Sequence, residues 1–145
     1  MNRVDFYQLS RDPVELALPL LARATLKAGE RMLVVSSDEA QLGRVGQGLW
    51  ALPDTFLANG RAGQPHEDRQ PILLSDRLEP ANGARFLALA DGVWRESEQP
   101  FVRTFLMFDD STVAAARDVW RMLRAREGTE RHFWKQEGGR WIEAG

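Results

Sequence analysis

The sequence predicts an α/β fold, a single domain whose mostly parallel sheet is flanked by helices. Three observations lead there. Nearly continuous apolar runs of strand length occur at residues 31–36, 71–75 and 85–90, as strands covered on both faces require. Segments with helical caps and helical periodicity alternate with such runs, the pattern of a sheet built by crossover connections. Finally, 145 residues, 43% of them hydrophobic, fill one ordinary core but not two, so one domain over residues 1–145 is expected.

In chain order, Val4-Asp5-Phe6-Tyr7-Gln8-Leu9 is β-branched and aromatic and starts the sheet. Asp12-Pro13-Val14-Glu15 combines a cap residue, a proline suited to a first helical position and an acid, which signals a helix start. Pro19 removes a backbone hydrogen bond soon afterwards, so a kink or short turn is expected before a main helix over 18–27. Leu20, Leu21, Ala24 and Thr25 should then face the sheet, and Gly29 should end the element. Residues 31–36 form an inner strand. Ser36 with Glu39 resembles a capping box, and the helix that follows runs toward Trp50 despite Gly43, Gly46 and Gly48. Those glycines have the wrong spacing for a phosphate-binding loop and do not directly follow the strand.

Thr55-Phe56-Leu57-Ala58 reads as a short third strand, and the polar stretch 59–70, with Gly60, Gly63, Pro65 and His66, as a surface loop. Strands over 71–75 and 85–90 are separated by a turn or loop at 76–83. The segment 101–108 has the length of a strand or of a short helix leading into one. Asp110 or Ser111 can then cap a helix that carries an alanine run and exits at Gly128. The remaining segments, 132–136 and 140–143, are joined by Glu137-Gly138-Gly139, which favours a tight hairpin or an irregular tail.

The helix after residue 109 carries the functional signal. At about 100° per residue, Ala115, Ala116, Val119, Met122 and Leu123 gather on the side expected to be buried. A second arc collects Val113, Arg117, Trp120, Arg121 and Arg124, setting an indole and a valine among guanidiniums. On pattern alone the plainer account is favoured: Trp120 borders the core and the arginines are solvated. The competing account is a binding face for a ligand with a carboxylate beside an aromatic anchor, since arginine holds a carboxylate bidentately while a ring packs.

Composition narrows the rest. A net charge of −2 gives no general attraction to nucleic acid phosphates, so direct nucleic-acid binding is not expected. With no cysteine, thiolate metal sites, disulfides and cysteine nucleophiles are excluded. No signal core or membrane-length apolar run is visible, so no membrane association and a cytoplasmic location are expected. His66 and His132 have no metal-ligand spacing. Ser36-Ser37 lack a nucleophile elbow and read as helix caps. Asp109-Asp110, at a strand end, could hold Mg²⁺, but capping explains them without an ion. No cofactor and no catalysis are expected, and the alternative is a small nucleotide- or Mg-dependent α/β enzyme.

Over nearly its whole length the chain resembles the chi subunit family of bacterial DNA polymerase III holoenzyme. The resemblance is carried by Phe6-Tyr7 with Leu9, Gly29-x-Arg31, Leu49-Trp50 followed by Phe56-Leu57, and Pro71-Ile72. Ala116-Arg117-x-x-Trp120-Arg121, Phe133-Trp134 and Gly139-Arg140-Trp141 continue it in order. It implies a Rossmann-like domain without a nucleotide site, a non-catalytic adaptor that joins the clamp-loader assembly, often through a second small subunit called psi. It also implies binding of the acidic C-terminal tail of single-stranded DNA-binding protein, which ends in proline, phenylalanine and a free carboxylate. The matching tail-binding positions are Val113, Arg117, Trp120 and Arg121, the arc already found by periodicity, which makes the binding-face account the better one. The second partner surface, used for psi or for a helicase-related repair protein, maps to Trp50 and Phe56; ordinary core packing explains those two residues equally well. The chain departs from the family's pattern at Asn59-Gly60, where other members often have Pro-His. Val113 replaces a basic residue that some members have one turn before the arginine, a loss that Arg121 and Arg124 can offset.

Overall fold

The computed structural model describes residues 2–53, 55–98, 101–137 and 140–144. Its elements are β1 (Asn2–Gln8), α1 (Val14–Lys27), β2 (Met32–Val35), α2 (Glu39–Ala51), β3 (Asn59–Arg61), β4 (Ile72–Ser75), β5 (Phe86–Leu89), β6 (Arg103–Phe108), α3 (Val113–Arg124), β7 (Thr129–Glu137) and β8 (Arg140–Glu143). The strands form one sheet in the order β3-β4-β2-β5-β6-β1-β7-β8, parallel throughout except for the antiparallel β7–β8 pair. The expected mostly parallel α/β architecture is therefore present. The Gly138-Gly139 dipeptide expected to turn the chain between β7 and β8 lies outside the described residues.

Strand alternation divides the core into two layers. Val34, Ile72, Phe105 and Met107 pack on the face covered by α1 and α2. Leu33, Leu73, Leu106, Phe108 and Phe6 pack on the other, where α3 contributes Ala116 and Leu123. All four residues of β2 are buried, as its apolar run requires, because β4 and β5 flank it and helices cover the sheet.

Several local expectations are corrected. The chain does not restart at Pro19, which lies inside a continuous α1. With the helix phased from Val14, the buried side is Ala17, Leu18, Ala22 and Thr25, while Leu20 and Ala24 are exposed and Leu21 is partly buried. Gly29, left-handed at φ 78°, follows the end of α1 as expected. The cap of α2 is Asp38, whose side chain accepts from the Ala40 and Gln41 N–H groups. Ser36 instead bonds Gln41, and Ser37 bonds Asp91. Residues 55–58 are not a strand; the short edge strand β3 lies in the stretch expected to be loop, where Asn59 and Gly60 pair with Ile72 and Leu73. The apolar Thr55–Ala58 run misled because its most prominent member, Phe56, is a surface residue, 77% exposed.

At the start of α3, Thr112 occupies the cap position without a side-chain bond to the helix; its hydroxyl instead accepts from the Asp109 N–H at 3.0 Å. Neither Asp110 nor Ser111 caps the helix. Asp109 instead closes the preceding turn, its Oδ1 accepting from the Ser111 N–H and hydroxyl. The buried side of α3 is Ala116 and Leu123, with Val113, Val119 and Trp120 packed partly against the core. Ala115 and Met122, expected inside, are exposed because Phe6 and Phe133 draw the helix over toward Trp120.

Candidate functional site

Three elements converge beside α3. β1 sits between β6 and β7, so Phe6, Phe108 and Phe133 come from adjacent strands, and all three point to the α3 side of the sheet. Trp120 stands on these rings edge-on, 5.0 Å from Phe6 and 6.0 Å from Phe133. Arg131 secures it from β7: its guanidinium lies 4.2 Å from the centre of the Trp120 ring, and its Nη1 donates to the Trp120 carbonyl at 2.9 Å. The indole is thus partly buried and fixed in position.

In front of Trp120 is an open pocket of about 340 Å³, lined by Phe6, Gln8, Phe108, Val113, Ala116, Arg117, Trp120, Phe133 and Ala144. Its floor is aromatic, and among the described residues Arg117 is its one charged lining side chain and no carboxylate lines it. Arg117 is exposed and makes no hydrogen bond or ion pair with any described residue. A guanidinium free beside an apolar recess suits a ligand that ends in a carboxylate and carries a ring.

Of the five arc residues, Val113, Arg117 and Trp120 come together at this pocket. Arg121 and Arg124 do not line it. Arg121 is exposed and pairs with Asp118 at 3.1 Å, the weak surface kind of ion pair, and Arg124 is exposed further along the helix. Sequence reasoning missed Phe6, Gln8, Phe108, Arg131 and Ala144 as pocket components. β1 inserts between two later strands, and no local pattern reveals that pairing.

The core account of Trp50 and Phe56 is corrected. They are 52% and 77% exposed and contact each other edge-on at 5.3 Å. Phe56 also borders a shallow hollow lined by Arg23, Leu26, Lys27, Pro53, Thr55 and Leu57. Two large rings exposed together, away from the α3 pocket, form a second surface suited to a protein partner.

The carboxyl ends of β1, β5 and β6 open onto a third cavity, about 440 Å³, where an open α/β sheet places its ligands. Its lining includes Arg11, Asp12, Glu15, Arg44, Asp91 and Asp109. Arg95 and Ser37 hold Asp91, Arg44 lies 3.7 Å from Glu15, and Gln136 donates to Asp12. The hydroxyl and N–H of Ser111 hold the Asp109 carboxyl below its ordinary pKa. Among the described residues, no three His, Asp or Glu side chains are grouped to hold a metal ion. His132 has a carboxylate at each ring nitrogen, Glu130 at 2.6 Å and Glu143 at 2.7 Å, which together raise its pKa. No described helix is long and apolar enough to cross a membrane.

A family model described as DNA polymerase III chi subunit, HolC, matches residues 1–130. No match was found among curated proteins. The matched region ends inside β7, so it contains all of α3 and both exposed rings of the second surface.

Proposed function

Because this chain belongs to the DNA polymerase III chi subunit family, accessory subunits of a replicative polymerase that are not themselves catalytic, we propose that it is a cytoplasmic adaptor of the clamp loader. It binds the acidic C-terminal tail of single-stranded DNA-binding protein. The observation that carries this reading is an Arg117 without a partner among the described residues, at the mouth of an aromatic pocket that holds Trp120 and has no described acid in its lining.

The chemistry of such a tail fits that pocket. A terminal phenylalanine ring buried on Phe6, Phe108 and Trp120 contributes about 1.5–3 kcal/mol, and the terminal carboxylate meets the guanidinium as a charge-assisted, bidentate partner. Val113 offers methyl groups where a cation would add a further contact. Arg121 and Arg124 lie outside the lining and supply long-range attraction rather than a direct grip. The exposed Trp50–Phe56 pair is the proposed surface for a second protein, either psi, which would link the chain to the clamp loader, or a helicase-related repair protein. DNA is reached through these partners, consistent with a net charge of −2.

A peptide ending Asp-Phe-x-Pro-Phe, titrated into the protein by calorimetry, tests the reading. The expected affinity is about micromolar and falls as salt is added. Arg117→Ala should weaken binding by about tenfold or more, since a charge-assisted bond to a partly desolvated carboxylate is worth roughly 1.5–3 kcal/mol. Amidating the terminal carboxylate of the peptide should have a similar effect. Equal affinity for the native protein and Arg117→Ala would remove the assigned site, and no binding to either would remove the function.

A further inference from the structure

The α3 pocket does not stop at its aromatic floor. Ala144, in its lining, follows directly on β8, and its N–H donates to the Phe133 carbonyl at 2.7 Å. Lys135 pairs with Ile142 and Glu137 with Arg140 across the two strands. Paired residues share a face and side chains alternate, so Phe133, Lys135, Ile142, Arg140 and Ala144 all lie on the pocket side of the sheet. Leaving the pocket, this face presents first Lys135 and Ile142 and then Arg140.

These side chains are available. Ile142 is 40% exposed, Lys135 and Arg140 are exposed, and Arg140 makes no hydrogen bond or ion pair with any described residue. One acid shares the strip, Glu137, which pairs with Lys135 at 3.2 Å. The other carboxylates of the hairpin, Glu130 and Glu143, lie on the opposite face around His132. Among the described residues β8 is also the last strand of the sheet, so the main-chain groups along its outer edge have no described strand beside them.

We infer that the β7–β8 hairpin is a second half of the peptide site: an acidic segment upstream of the terminal ring runs in extended form along the outer edge of β8, its carboxylates meeting Lys135 and Arg140. This rests on the proposed pocket reading. Three features favour the hairpin over the arginines of α3. The strip is continuous with the pocket through Ala144, its chemistry is cationic with one apolar contact, and only a strand edge offers an extended peptide main-chain partners. At roughly 3.3 Å per residue, the four residue steps from Ala144 to Arg140 correspond to a peptide acid about four positions before the terminal ring.

Two peptides of equal length separate this inference from the reading beneath it. One carries three aspartates ahead of x-Pro-Phe, and the other carries asparagines there. The native protein should prefer the acidic peptide by about tenfold at low salt, the effect of two partly exposed charge contacts. A Lys135→Ala, Arg140→Ala double variant should lose most of that preference and keep the native affinity for the neutral peptide. An Arg121→Ala, Arg124→Ala double variant, stripped of long-range attraction alone, should retain most of the preference. All four side chains are exposed, so thermal melts of both variants should match that of the native protein. The inference is overturned if the hairpin variant keeps the preference, if the helix variant loses it, or if the native protein has none. Native-like binding of the neutral peptide by Arg117→Ala would instead overturn the pocket reading itself.

Discussion

Asp5→Asn should destabilise the fold by about 3 kcal/mol, the largest effect expected of any isosteric change in this chain. The Asp5 carboxylate is fully buried and has three partners. Arg3 reaches both of its oxygens, at 2.9 to 3.2 Å, and Arg103 donates at 2.8 Å and the Trp134 indole N–H at 2.9 Å. These partners come from β1, β6 and β7, so one carboxylate ties three neighbouring strands together. Burial alone would raise its pKa, but the hydrogen bonds from Arg3, Arg103 and Trp134 outweigh burial and hold it below the usual carboxylate value. The asparagine amide cannot neutralise two guanidiniums, and its NH₂ group faces donors. The guanidinium side chains remain 34% and 28% exposed, so water relieves part of the penalty and the effect belongs at the low end of the range for a broken buried pair. Calorimetry should find the melting temperature lower by about 9 °C. The pH dependence has a definite sign. A carboxylate with a depressed folded pKa contributes its stability in full above the unfolded value of about 3.9 and loses it as pH falls through the lower folded value. Native protein should therefore lose stability more steeply than Asp5→Asn below about pH 4. Equal acid limbs and equal melting temperatures would mean that the network contributes nothing net.

The same residue shows what the sequence could and could not reveal. Asp5 stands in a strand whose central residues, Val4 to Tyr7, are all buried, and that strand was legible from β-branched and aromatic content. Two of its three partners, Arg103 and Trp134, lie 98 and 129 residues further on, brought near by β1 pairing with strands formed late in the chain. Inner strands such as β2 were legible because burial on both faces leaves a continuous apolar run. The edge strand β3 was not, because Asn59-Gly60-Arg61 pairs through its backbone and has no apolar face to show. Site and core signals were confused in both directions. Phe56 sits in an apolar run that reads as core and is a surface ring, while Met122 falls on the nominal inner face of α3 and is exposed. The trio Val113, Arg117 and Trp120 was legible because a helix gathers its residues by local geometry alone. The aromatic floor beneath them was not, because strand order rather than spacing brings Phe6 and Phe133 together.

Helix α2 offers a second large effect with a control of opposite sign a little over one turn away. Gly48→Ala should cost about 3 kcal/mol, although alanine is the better helix former, whereas Gly43→Ala should stabilise by up to about 1 kcal/mol. A Cβ built on Gly43 meets nothing within 4 Å. One built on Gly48 would lie 2.3 Å from the Glu15 carbonyl oxygen of α1. The obstacle is backbone, so no side-chain rotation relieves it, and the two helices would have to separate over Leu18, Val45 and Leu49. The close approach also gives Pro19 a context. Proline has no N–H to return to the carbonyl four residues before it, which is that of Glu15, so the carbonyl without its helical donor is the one that faces Gly48. An unbroken α1 containing Pro19 and an α2 weakened by a central glycine are thus two sides of one contact. Thermal melts of the two variants should move in opposite directions, with Gly48→Ala lower by about 9 °C. A Gly48→Ala melt at or above the native value would show that the helices do not pack this closely in solution.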